Sequence, residues 1–234
     1  MNEVEEIAKA IQESAKLGKE GLNIAQKSGT FFAKVLKEPS YEISGMITDK
    51  LRFLRWKRLV QMADEVNIIL EEKGINDTRA VPPKIALPLF EEASLEDDPN
   101  LQKLWNHLLA NAMNPIFNDE IRYGFIDMIK GITGLEARLL YEFYDTLDKE
   151  GNLRPLIDVL HHSINKEIIM QAFGLSVDTY AISINNLMRM QLLAPAIHIT
   201  ESVEIMSHPL TSYKGYDSVT LTPLGVKFVE ACIK

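Results

Sequence analysis

Along most of this chain apolar residues recur every three or four positions, a spacing that predicts helices. Wound at about 100° per residue, Leu59, Met62, Val66, Ile69 and Leu70 share one face of a helix over 47–73. Lys73 in its last turn and Gly74 just beyond predict where it stops. A Pro-rich connector then passes into a short helix before "EEASLEDDP". The segment "DDPNLQKLWNHLLANAMNP" is bounded at both ends. Asp98 is placed to cap the first N–H groups, Pro99 suits the first turn, and Asn114-Pro115 ends the helix. Leu101, Leu104, Trp105, Leu108 and Leu109 line its expected buried face. Another helix over about 119–131 completes an α-helical block.

Residues 3–37 carry a weaker stripe of mostly small residues, Ile7, Ile11, Ala15, Gly18, Leu22 and Ala25. Gly18, Gly21 and Gly29 each cost roughly 1 kcal/mol of helix propensity. The stripe reads either as a helix packed closely against another or as a mobile arm. Pro39, within "EPSYEISG", separates it from the long helix over 47–73.

A second unit opens at "TGLEARLLYEFYDTL", where Thr133 and Glu136 have the spacing of a capping box. After it come "NKEIIMQAFGL", "SVDTYAISINNLMRMQLLAP", the alternating "AIHITESVEI", "SYKGYDSVTL" and a last helix, "TPLGVKFVEACIK", started by Thr222 and Pro223. This order predicts a winged helix-turn-helix domain with a small two-stranded β-hairpin. The fold class is therefore mainly α, divided into an N-terminal helical arm (1–44), a helical domain (45–131) and a winged-helix domain (132–234).

A winged helix raises the question of DNA. In its candidate recognition helix Ile182, Leu187, Met190 and Leu193 are expected in the core. Thr179, Ser183, Asn186 and Arg189, with Tyr180 beside them, are then expected to face outward. Asn and Arg can pair with base edges, but affinity for DNA comes largely from neutralising phosphates. From His161 to Lys234 there are five Lys and Arg against six Asp and Glu, so the basic footprint of a DNA binder is missing. The whole chain is acidic too, at a formal −8, which repels phosphate backbones and anionic lipid unless positive charge is clustered. DNA is disfavoured, and a protein partner or homo-oligomer is expected instead.

Positive charge does cluster in "DKLRFLRWKRLVQM". Arg52 coincides in angle with Leu70, and Arg55 falls between Met62 and Val66, so both project from the arc that becomes the core face. An arginine there needs a partner, because an unpaired buried charge is costly. Glu91, Glu92, Glu96, Asp97 and Asp98 can supply carboxylates, which predicts a salt-bridge network inside the helical block. The other reading makes Arg52, Arg55, Trp56 and Arg58 a surface for a protein partner or an anion.

No catalytic, cofactor-binding or metal site is expected. The phosphate-cradling glycine loops are missing. Adjacent His161 and His162 would diverge by about 100° on a helix and make a poor chelating pair. Cys232 sits on an apolar helix without an evident base. One cysteine excludes an internal disulfide framework. "IALPLF", the longest apolar run, is far short of the roughly 20 residues that span a bilayer. The charged start "MNEVEEIAKAIQESAK" does not resemble a secretory signal, and a cytoplasmic protein with little membrane-surface contact is the expectation.

Three stretches, "DKLRFLRWKRLVQMADEVNIILEEKGI", "VPPKIALPLFEEASLEDDPNLQKLWNHLLANAMNP" and "ITGLEARLLYEF", together resemble the bacterial abortive-infection alpha family over about 45–145. The tail "ISINNLMRMQLLAP…YDSVTLTPLGVKF" is similar to members as well. The resemblance implies a part in defence against bacteriophage and brings no catalytic residues with it. A non-enzymatic interaction module is the leading expectation. A winged-helix DNA-binding regulator and a membrane-acting toxin component are the alternatives.

Overall fold

The computed structural model describes residues 50–153, 162–196 and 217–234, apart from the side chains of residues 50–53 and of Trp56. Expectations for the segment 3–37, for its break at 38–45 and for 197–205 of the alternating stretch lie outside the described residues. The described residues are mainly helical, with eight helices and a small three-stranded antiparallel sheet. The chain divides into two compact units, one ending at Lys130 and the other beginning at Gly131.

In the first unit α1 (Lys50–Glu72) and α2 (Pro83–Ala93) both pack on α3 (Pro99–Met113), and α4 (Tyr123–Gly131) closes the sequence of helices. All five residues expected on the inner face of α3 are buried. They meet Met62, Ala63, Val66 and Leu70 from α1 and Ile85, Leu89 and Phe90 from α2 in one core. Leu59 and Ile69 are only half-buried, because Val60 and Ala63 take the inward positions beside Met62 and Val66.

The ends of these helices follow from local chemistry. Gly74 has φ +70°, its N–H bonds the Glu71 carbonyl at 2.9 Å, and the Ile75 N–H bonds that of Leu70 at 2.8 Å. That pair of bonds is a Schellman stop, which only a left-handed residue closes cheaply. The Asp98 carboxylate accepts from the N–H groups of Asn100 and Leu101, so α3 is capped as expected.

The second unit contains α5 (Gly134–Lys149), β1 (Ile164–Asn165), α6 (Lys166–Phe173), α7 (Val177–Arg189), β2 (Leu193–Pro195), β3 (Ser218–Leu221) and α8 (Pro223–Cys232). The capping box forms: Thr133 N–H donates to Glu136 Oε2 at 2.8 Å, and Glu136 N–H donates to Thr133 Oγ1 at 3.2 Å. β3 is central, with Ile164 of β1 and Pro195 of β2 both opposite Val219. The sheet thus has one strand more than the expected hairpin, and two residues are too few to show a strand period. Val219, Thr220 and Leu221 are all buried, since α5 and α8 pack against this strand.

α8 starts at Thr222, whose hydroxyl accepts from Gly225 N–H at 2.9 Å and donates to the Gln191 carbonyl at 2.5 Å. A Cβ on Gly225 would lie 2.1 Å from the Leu192 carbonyl oxygen, so glycine permits the helix to approach the chain just before β2 this closely. Cys232 is fully buried in α8, and burial pushes its thiol well above the ordinary value. That leaves it a packing residue rather than a thiolate.

Candidate interaction surface

Helix α7 begins at Ser176, whose hydroxyl accepts from Thr179 N–H at 3.1 Å and lies 2.9 Å from the Thr179 hydroxyl. Tyr180, Ser183, Ile184 and Leu187 are its buried residues. Their spacing defines a single inward stripe, and Asp178, Ile182, Asn185 and Arg189 fall on the opposite side, within about 60° of one another. All four are exposed.

This is a rotation of the face expected from sequence. Ile182, expected in the core, is 70% exposed, whereas Ser183, expected outward, is 5% exposed. Tyr180 also points in, over the Lys166 ammonium at 5.7 Å from its ring centre. The physical reason is area: burying a tyrosine ring with Ile184 and Leu187 covers more apolar surface than burying Ile182. Ser183 is small enough to lie between them. The spacing of Tyr180, Ile184 and Leu187 could have revealed this had the tyrosine been counted as apolar.

Asn186 is not free to read a base. Its amide N–H groups donate to the Gly131 carbonyl at 2.9 Å and to Glu136 Oε2 at 3.0 Å, and its oxygen accepts from Arg189 Nη2 at 2.9 Å. The side chain therefore ties α7 to the capping box of α5, where Glu136 is 2% exposed. Of the four residues expected to face DNA, only Thr179 and Arg189 are exposed, and Thr179 belongs to the cap.

The arginines of α1 also differ from expectation. Arg55 Nε donates to Ser94 Oγ at 2.9 Å, and that hydroxyl donates to the Glu91 carbonyl at 2.7 Å. Arg58 Nη1 donates to the carbonyls of Leu95 at 3.0 Å and Ser94 at 3.4 Å. Both cations thus sit at the C-terminus of α2, where exposed carbonyls and the negative end of the helix dipole favour them. Arg55 thus does not take a carboxylate from the cluster that sequence suggested. Those carboxylates act elsewhere: Glu92 meets Lys130 at 2.6 Å, Glu96 accepts from the N–H groups of Asp97 and Asp98, and Asp98 caps α3. The Glu92 hydrogen bond holds the Lys130 ammonium above its ordinary value. The side chains of Arg52 and Trp56 lie outside the described residues.

A groove beside β1, lined by the acids Glu150 and Asp217 and by neutral residues such as Thr146, Ile164 and Ile168, contains no basic side chain. The described residues of the second unit hold six Lys and Arg against nine Asp and Glu. Among the described residues no group of His, Cys, Asp and Glu is arranged to hold a metal, and no helix is long and apolar enough to cross a membrane.

The family model for abortive infection alpha matches residues 55–232. The chain belongs to that family. The match runs through both units, so the fold around α7 lies inside it. Membership implies a role in abortive-infection defence against phage. The comparisons with curated proteins and with solved structures returned no match.

Proposed function

We propose that this chain is a non-enzymatic interaction module in abortive-infection defence, acting through protein contacts made by α7. The order helix, strand, helix, helix, strand, strand supports reading the second unit as a winged helix. The observation that carries the function is the outer stripe of α7: an exposed isoleucine and asparagine between one acid and one base. Such a face offers apolar area to a protein and almost no phosphate neutralisation to a duplex.

A phage challenge of bacteria carrying the defence gene tests this. Ile182→Glu alters only an exposed side chain, so the melting temperature should stay the same while protection is lost. Full protection by that variant would sink the reading. So would capture of a labelled DNA duplex by the native chain in low-salt buffer.

A further inference from the structure

We infer that the partner of α7 is α7 of a second copy of this chain, paired antiparallel about a two-fold axis. This deepens the proposed function and rests on it for the choice of surface.

The argument is self-complementarity. An isologous interface presents the same patch twice, so every residue must suit what the rotation places opposite it. On α7 the exposed stripe reads Asp178, Ile182, Asn185, Arg189. A two-fold axis midway between Ile182 and Asn185 sets Asp178 of each copy against Arg189 of the other. The same rotation brings the two Ile182 side chains together near the axis, with Asn185 flanking them. Both ion pairs form at once, about 16 Å apart along each helix. A parallel arrangement would instead place Asp178 against Asp178 and Arg189 against Arg189, so the charges fix the direction as well as the register.

The groups are available for this. Asp178 is exposed in the first turn of α7, and Ile182 keeps most of its surface open to solvent. Arg189 spends one N–H on Asn186 and its guanidinium has others to offer. That bond holds the arginine in position, since the asparagine is itself held by Glu136 and the Gly131 carbonyl. The terminal ion pairs are exposed, so they select orientation more than they add affinity. Ile182 supplies the apolar centre.

Sedimentation equilibrium of the full chain over a concentration series tests the pairing through charge reversal. Asp178→Arg and Arg189→Asp each put like charges at both ends of the interface. Each alone should weaken self-association by about tenfold or more, because the two-fold axis counts every lost pair twice. An equimolar mixture of the two variants restores opposite charges at both ends and should associate as the native chain does. Thermal melts of both variants establish that they are folded. A native chain that stays monomeric throughout overturns the proposal, and so does a mixture no tighter than its components. In either case, loss of protection by Ile182→Glu would leave the protein-contact reading standing with a different partner.

Discussion

Replacing Asn186 with alanine separates a base-reading asparagine from one built into the fold. A base reader on an open surface contributes nothing to stability until DNA arrives. Here the amide donates to Glu136 Oε2 at 3.0 Å, and Glu136 is almost inaccessible to water. A hydrogen bond to a charged group is worth about 1.5–3 kcal/mol. The bond to the Gly131 carbonyl is exposed, so water replaces it at little cost. Alanine regains roughly 0.5 kcal/mol of helix propensity. The net loss is about 1–2.5 kcal/mol, which in a unit of about 100 residues lowers the melting temperature by roughly 5–12 °C. Asn186→Asp is nearly the same size but sets a second carboxylate beside Glu136, so it should melt lower still. Circular dichroism melts of the three proteins give the order native, alanine, aspartate. If all three melt together, Asn186 is a surface residue and does not tie α7 to α5.

Three further substitutions test the packing within each unit. Gly225→Ala places a methyl 2.1 Å from a backbone oxygen, and the forced shift of α8 should cost about 3 kcal/mol. Gly124→Ala, which meets nothing within 4 Å, should be neutral or stabilise by roughly 0.5–1 kcal/mol; equal melts for the two would refute the close approach of α8 to Leu192. Arg55→Ala should cost about 1 kcal/mol by breaking the bond to Ser94. Because the serine is neutral and salt screens only the helix-dipole part, that loss should shrink only slightly from dilute to concentrated salt, whereas a loss that salt abolishes would mean a carboxylate partner.

Much of the fold was legible because its helix ends are written in local chemistry. Gly74, Asp98, the Thr133–Glu136 pair and Thr222-Pro223 each act within a few residues of themselves, so no tertiary knowledge was needed to place them. The burial of α3 was equally plain, since five large apolar residues fall on one face. β1 was hidden for the opposite reason. Its two residues become a strand only by pairing with β3, more than fifty positions later, and nothing local marks them.

The outward face of α7 was hidden for a subtler reason. Composition pointed away from DNA, but which side of α7 faces out depends on how tyrosine and serine are weighed. Tyr180 has a polar tip and a large apolar body, and the tertiary core rewards the body. Once it turns inward, Ile182 must turn outward, because both cannot occupy one stripe of a helix. The same rotation carries Asn186 to the edge of the contact with α5, where Glu136 takes it. One misjudged side chain therefore took Ser183 and Asn186 off the outward face and left Thr179 and Arg189 on it. Arg55 of α1 took a parallel course: its need for a partner was readable from charge and angle, but the Ser94 hydroxyl at a helix end met that need in place of a carboxylate. Side-chain chemistry states what a residue requires. Only the packed chain decides which of several neighbours supplies it, and for α7 that decision turns Ile182 outward and Ser183 inward.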